Sequence, residues 1–144
     1  MTHVEIEESI DAPAAAVWEC FFSASADDIA IGAYAESVTT KGEGEGAIRT
    51  TVLLDGVGTV VERLDLVDEK RGICRYTVLE RGPLPFDKYT GQISVTPVGA
   101  ITCILKLQGD FVPIGLTEKE CKDIYYRNNY GVVAKVREML GLDN

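Results

Sequence analysis

Apolar and polar residues alternate along most of this chain, and they follow helical spacing in three segments. Alternation predicts half-buried β-strands, because successive side chains of a strand point to opposite faces. Asp55-Gly56-Val57-Gly58 is typical of a hairpin turn between two of these strands. The pattern predicts strands at 3–10, 35–41, 47–54, 59–67, 73–80, 87–96 and 101–110.

The helical segments carry recognisable start and stop signals. Pro13 suits the first turn of a helix that carries Val17, Trp18, Phe21 and Phe22. A second short helix is predicted at about 27–34. Thr117 is the expected N-cap of a long C-terminal helix that runs to about Leu140, where Gly141 is its natural stop.

The order of elements is strand, two short helices, six strands and a long helix. A curved antiparallel sheet and one amphipathic helix can bury each other's apolar faces, which predicts a two-layer α+β protein. With 144 residues and no repeat or linker, residues 1–144 are expected to form one domain.

The charge distribution restricts the possible partners. The net charge is −9, and residues 1–46 hold ten acidic residues against one basic residue. Nucleic acid and anionic membranes attract basic surfaces, so neither is an expected partner. The sequence shows neither the ~18–20 apolar residues of a membrane span nor a signal peptide. A cytoplasmic protein, monomeric or homodimeric, is the expectation.

No metal or cofactor is expected from the residue pattern. The four cysteines are widely spaced among apolar neighbours, and one histidine, His3, cannot complete a zinc set with them. They are expected to be buried free thiols. Gly42, Gly44 and Gly46 alternate with glutamates, which repel phosphate, so this turn is not a nucleotide loop.

Glu62 is the candidate for acid–base chemistry. It interrupts the otherwise apolar face formed by Val60, Leu64 and Leu66, which leaves Val67 on the opposite face. An inward carboxylate must be paired, hydrogen-bonded or protonated. Two roles therefore remain open: a cavity acid/base or ligand anchor, and half of a buried ion pair with Arg49 on the neighbouring strand.

Two tyrosines share inward faces with apolar residues. Tyr76 alternates with Cys74 and Val78, and Tyr89 shares its face with Gly91, Ile93 and Val95. A phenol in a cavity can donate to a ligand oxygen or act as a general acid, although a tyrosine satisfied within a core fits the pattern equally well. Gly91 is expected to leave open volume.

The element order and several local motifs resemble the START-like, birch-pollen-allergen (SRPBCC) superfamily, in its polyketide cyclase/dehydrase-like branch. The motifs are Ile10-Asp11-Ala12-Pro13-Ala14-Ala15-Ala16-Val17-Trp18, Gly46-Ala47-Ile48-Arg49, Val61-Glu62-Arg63-Leu64-Asp65, Asp87-Lys88-Tyr89 and Phe111-Val112-Pro113. The resemblance covers essentially the whole chain. One departure is that Ile29-Ala30-Ile31-Gly32-Ala33-Tyr34 replaces a Trp-x-Pro pattern that similar bacterial proteins often carry.

The resemblance implies a helix-grip fold, in which a seven-stranded sheet wraps the long helix around an apolar cavity. It places the face of Arg49, Thr51 and Leu53 inward. The ligand side of the last helix would then carry Tyr125, Asn129 and Val133, although a solvated Asn129 is an alternative. The loops 55–58 and 83–86 correspond to loops that close over ligand in similar receptors, with Leu84 and Phe86 as an apolar lid. Two ordinary connecting loops are the alternative.

Two functions fit these expectations. The first is a cofactor-independent cyclase/dehydratase-like enzyme, a lyase acting on a hydrophobic oxygenated molecule. In it Glu62 moves a proton, and Tyr76 or Tyr89 stabilises oxyanion charge. The second is a non-catalytic carrier or sensor that uses the same pocket.

Overall fold

Alternating burial organises the sheet of the computed structural model, which describes residues 1–22, 29, 31 and 34–143. Inward and outward residues alternate along almost the whole of the seventh strand. The strands are β1 (Thr2–Ile10), β2 (Ala35–Lys41), β3 (Ile48–Leu53), β4 (Thr59–Asp68), β5 (Ile73–Glu80), β6 (Phe86–Pro97) and β7 (Cys103–Pro113).

The seven strands form one antiparallel sheet in the order β1-β7-β6-β5-β4-β3-β2. Strands β2 to β7 follow one another as a meander, and β1 pairs with β7 over its whole length. Two helices lie on the sheet: α1 (Ala14–Phe22) and α2 (Glu118–Met139). The predicted helix-grip arrangement is confirmed. Most of the second short helix, expected at 27–34, lies outside the described residues.

Both ends of α2 form as the sequence predicts. The Thr117 hydroxyl accepts from the backbone N–H of Glu120, and the Glu120 carboxylate accepts from the backbone N–H of Thr117. At the other end Gly141 has φ +70°, a conformation that favours glycine. Its N–H donates to the Glu138 carbonyl, and the N–H of Leu142 donates to the Arg137 carbonyl. These bonds fix the length of the helix.

Bulges change which residues of β4 and β6 face inward. The pairing of β4 with β5 shifts between Leu64 and Leu66, and Val67 rather than Leu66 then packs against the core. The predicted outward face of Val67 is therefore wrong. On β6 the register shifts after Asp87, where Lys88 has φ +51°. Phe86 and Tyr89, three positions apart, both point inward as a result.

The core lies between the sheet and both helices. On α1 the buried residues are Val17, Trp18, Cys20 and Phe21. On α2 they are Cys121, Tyr125, Val132, Val133 and Val136. The helix α2 packs most closely on β1 and β7, at one side of the sheet. The candidate site lies between α2 and strands β3 to β5.

Candidate functional site

A cavity with two adjoining lobes lies between strands β2–β7 and helices α1 and α2. The α1 lobe, about 60 Å³, is bordered by Phe21 and Val38. The loop lobe, about 70 Å³, is bordered by Leu84 and Phe86. Since a dry cavity of roughly 150 Å³ holds one benzene molecule, each lobe accepts only a small group in this conformation.

An ion pair lies in the wall of this cavity. Arg49 and Glu62 face each other across β3 and β4, and Nε of Arg49 donates to Oε1 of Glu62 at 2.6 Å. Their side chains are 14% and 16% exposed. Burial alone would lower the pKa of Arg49, but the charge of Glu62 and the hydrogen bond outweigh it and raise that pKa. Arg49 is therefore a permanent cation beside Glu62.

Three tyrosines, Tyr34, Tyr76 and Tyr89, line the cavity. Burial raises the pKa of Tyr76 and Tyr89 well above the ordinary value, and it raises that of Tyr34 to about 12, with the charge of Glu62 adding to the shift. The hydroxyls of Tyr76 and Tyr89 lie 3.4 Å apart, within hydrogen-bonding distance. At neutral pH these phenols are protonated, so a hydroxyl that is not donating to its neighbour can donate a hydrogen bond to a ligand oxygen.

Two paired glycines make room for the tyrosine rings. Gly91 of β6 lies opposite Gly109 of β7. The ring of Tyr76 occupies the space that a side chain at Gly91 would need, and the rings of Tyr89 and Tyr125 lie against Gly109. The expectation that Gly91 leaves open volume is therefore wrong, because Tyr76 fills it.

Helix α2 presents different residues from those expected. Asn129 borders both lobes, as predicted, and its amide donates to the Tyr125 carbonyl at 2.9 Å. Tyr125 and Val133 instead lie in the buried core, outside the set of residues that line the lobes. Val132 lines the α1 lobe and Asn128 the loop lobe. The helix is thus rotated slightly from the predicted phase, which the apolar stripe alone does not fix.

Other residues expected to line the cavity also border it, and Phe86, expected in a loop, is the first residue of β6. Thr51 borders both lobes, and the loop lobe is also bordered by Leu53, Val78 and Phe86. Leu84 lies in a loop held by two hydrogen bonds with Arg81. The backbone N–H of Leu84 donates to the Arg81 carbonyl, and the guanidinium of Arg81 donates to the Leu84 carbonyl. That loop touches the β3–β4 turn, since Pro83 lies against Gly58. A gating movement of these loops stays a prediction.

Several residues that line the cavity were not predicted from the sequence. Tyr34, just before β2, borders both lobes, and Phe21 and Val38 border the α1 lobe. The apolar stripe of α1 was a usable signal for Phe21. No pattern indicated Tyr34, because its position depends on how the chain after α1 returns to the sheet.

Cysteines and acidic groups supply no second site in the described part of the chain. The four cysteines are free and buried, as expected. Burial raises the pKa of each thiol, that of Cys74 to about 11, which makes them poor nucleophiles. Among the residues that the structure describes, no three His, Cys, Asp or Glu side chains are placed to hold a metal ion. No helix in these described ranges is both long and apolar enough to cross a membrane.

The fold and the cavity together define a START-like helix-grip protein. The sequence profile of the family described as "Polyketide cyclase / dehydrase and lipid transport" matches residues 1–128. The chain therefore belongs to that family, and the resemblance inferred from its motifs is confirmed.

Solved structures show the same fold at low sequence identity. An uncharacterized protein from Bacillus thuringiensis superposes with a TM-score of 0.82 at 19% identity, covering 96% of this chain and 98% of that one. The Zhui aromatase/cyclase from Streptomyces sp. R1128 gives 0.77 at 24% identity, with 94% and 90% coverage. Norcoclaurine synthase from Thalictrum flavum, in complex with dopamine and hydroxybenzaldehyde, gives 0.76 at 18% identity, with 99% and 88% coverage. No curated protein sequence matches this chain.

Proposed function

We propose that this protein binds a small apolar carbonyl compound and performs acid–base chemistry on it, as a cofactor-independent cyclase/dehydratase-like enzyme. The observation that carries the proposal is that Glu62 and the protonated phenols of Tyr34 and Tyr76 line the same cavity. A carboxylate is a proton acceptor, and the phenols are donors for an oxygen that gains negative charge. Family membership and the aromatase/cyclase fold neighbour support this reaction class.

The proposed chemistry assigns one role to each group. Glu62 takes a proton from the carbon next to a carbonyl, while Tyr76 and Tyr89 donate hydrogen bonds to the resulting enolate oxygen. The enolate carbon then attacks a second carbonyl of the same molecule and forms the ring bond. Glu62 returns its proton to the new alkoxide, and loss of water from that alcohol leaves a carbon–carbon double bond.

The Arg49–Glu62 pair favours a second candidate function. Nε of Arg49 already donates a hydrogen bond to one oxygen of the Glu62 carboxylate, which leaves less of that group free to accept a proton from a ligand. A carrier or sensor needs only the orienting contacts of Arg49, Tyr76 and Asn129, which the cavity also offers. This alternative predicts binding without any change in the bound molecule.

Deuterium exchange with simple ketones separates the two functions and does not require the natural substrate. The protein is incubated in D₂O with 4-heptanone and, separately, 2-heptanone, and NMR follows exchange of the hydrogens next to the carbonyl. An acid–base enzyme accelerates exchange of at least one ketone. Glu62→Gln is expected to lower the rate about 100-fold. Glu80→Gln makes the same chemical change at an exposed position and should leave it unaltered.

The outcomes separate the functions. Binding with no accelerated exchange supports the carrier, and exchange that survives Glu62→Gln removes that residue from the mechanism. Native mass spectrometry of gently purified protein gives an independent answer. An intact retained apolar molecule indicates carriage, whereas a precursor that the protein cyclises or dehydrates indicates catalysis.

A further inference from the structure

Polar and apolar residues are segregated within the cavity. The described residues that border both lobes are all polar: Tyr34, Thr51, Glu62, Tyr76 and Asn129. We call these five the polar waist. They come from the chain before β2, from strands β3, β4 and β5, and from helix α2, so five separate segments converge on one boundary.

Residues that border one lobe only are mostly apolar. The α1 lobe is completed by Phe21, Ile29, Val38, Ile93, Leu107 and Val132, with Arg49 at its edge. The loop lobe is completed by Leu53, Val60, Val78, Leu84 and Phe86, with Tyr89 and Asn128 at its edge. Neither lobe offers more than two polar residues of its own among the described residues, so each suits a hydrocarbon group.

The polar waist suits a single oxygen function. The phenols of Tyr34 and Tyr76 are donors, the Thr51 hydroxyl is donor or acceptor, and Glu62 accepts. A carbonyl oxygen placed there receives hydrogen bonds, and the carbon atoms on both sides of that carbonyl lie near the carboxylate. An oxygen placed deep in either lobe would instead be surrounded by apolar side chains, which is costly. The second carbonyl that ring closure needs is therefore expected at a lobe edge, beside Arg49 or beside Tyr89 and Asn128.

From this segregation we infer that the ligand carries its reactive oxygen between two short apolar arms, one arm in each lobe. The inference rests on the proposed function, since it specifies the compound that the cavity takes. The lobes of about 60 and 70 Å³ are similar in size, so the two arms are of similar length. The preferred class is a small ketone, or its enol or alcohol, with a central rather than a terminal oxygen.

The two heptanone isomers test this inference with no change to the protein. They have the same atoms, but 4-heptanone has two three-carbon arms, whereas 2-heptanone has arms of one and five carbons. If its oxygen lies at the polar waist, the five-carbon arm of 2-heptanone is two methylene groups longer than an arm that fits one lobe. Those two methylene groups then stay outside the lobe. Each buried methylene contributes about fourfold to affinity, so 4-heptanone should bind about 15-fold more tightly. Titration followed by ¹H–¹⁵N NMR measures both affinities.

Two matched substitutions test the occupation of each lobe. Val38→Phe fills the α1 lobe and Val78→Phe the loop lobe, and each should weaken 4-heptanone binding at least 10-fold. If a single lobe holds the ligand, one of these variants binds normally and the inference is overturned. Circular dichroism and thermal melting check that each variant folds. If one of the two variants does not fold, the comparison of the two heptanone isomers alone tests the inference.

Failure of this inference is distinct from failure of the proposed function. Equal affinity for the two isomers, or binding of neither, overturns the two-armed ligand. Accelerated exchange that depends on Glu62 supports acid–base chemistry whichever isomer binds better. Preferential binding of 4-heptanone with no exchange supports the two-armed ligand and the carrier function.

Discussion

The β1–β7 side of the sheet and the β3–β5 side have the same alternating pattern of inward and outward residues, but they pack differently. Inward residues of β1 and β7, such as Ile6 and Leu105, are almost fully buried in the core, on the side of the sheet where α2 packs. Inward residues of β3, β4 and β5, such as Thr51, Glu62 and Tyr76, border the cavity instead. The difference shows that alternation gives a strand its inward face, whereas the position of the helix decides whether that face becomes core or cavity.

The largest expected effect compares a leucine from each side. Leu105→Ala removes a fully buried side chain from the packed side and should lower the free energy of unfolding by about 3–4 kcal/mol. Leu53→Ala enlarges the existing loop lobe and should cost only about 1–2 kcal/mol, because Leu53 already borders empty space. Urea unfolding of both variants measures the difference. Equal losses would show that the two sides are packed alike in solution.

The next effect concerns the charge pair on the cavity side. Glu62→Gln leaves the Arg49 cation unpaired and largely buried, which should destabilise the protein by about 3 kcal/mol. Replacing both residues, with Arg49→Met and Glu62→Leu, should recover most of that loss. Thermal and urea unfolding provide the measurement, with Glu80→Gln as the exposed control. A harmless Glu62→Gln substitution would mean that water reaches the pair freely.

A smaller effect distinguishes two buried phenols at the border between the sides. The Tyr125 hydroxyl is buried without a hydrogen-bond partner among the described residues, so Tyr125→Phe should stabilise the protein by about 1 kcal/mol. Tyr89→Phe removes the bond to Tyr76 and should destabilise it by about 1 kcal/mol. Chemical denaturation should show that Tyr125→Phe raises the free energy of unfolding and that Tyr89→Phe lowers it. Destabilisation by Tyr125→Phe would reveal a partner, such as a buried water, for its hydroxyl.

The smallest effect lies on the outer face of the packed side. His3 is hydrogen-bonded to Glu5 and Asp110, and these contacts raise its pKa above 6.5 in the folded protein. Because the pKa of His3 is higher in the folded protein than in the unfolded chain, where it is about 6.5, its protonation stabilises the folded state. This contribution is fully present below the unfolded pKa and is lost as the pH rises through the folded pKa.

The corresponding measurement compares wild type with His3→Gln in urea at pH 5.5 and pH 8.5. The free energy of unfolding of wild type should exceed that of His3→Gln by more at pH 5.5 than at pH 8.5. The side chain of His3 is 49% exposed, so solvent keeps this effect well below 1 kcal/mol. NMR can follow its titration unambiguously, because the chain has one histidine. A folded pKa at or below 6.5 would contradict the prediction.

Most of the fold could be predicted because its signals are local. Alternation, the Thr117 cap and the Gly141 stop each depend on a few neighbouring residues. The bulges could not be predicted in this way, since a shift of register depends on the partner strand. The inward position of Val67 is the clearest case, because the bulge after Leu64 reverses the alternation that the sequence shows.

The candidate site was predictable only in part. Glu62 was inferred from a polar interruption on an apolar face, and Arg49 from its place on the neighbouring strand. Their contact is present. The space at Gly91 was misjudged because a sequence does not show that Tyr76, on the next strand, turns its ring into it. The apolar stripe of α2 predicts the orientation of the helix only to within a small rotation. For that reason Tyr125 and Val133 were expected at the cavity, although they lie in the core.

The sequence by itself determined the strands, the ends of the long helix and the family, because these follow from periodicity, capping and local motifs. Only the tertiary structure decided that β1 joins β7, that α2 covers one side of the sheet, and that Tyr34 reaches the cavity. The physical reason is that each of these features depends on contacts between residues far apart in the chain. A cavity, in particular, is defined by space that the surrounding elements leave unfilled.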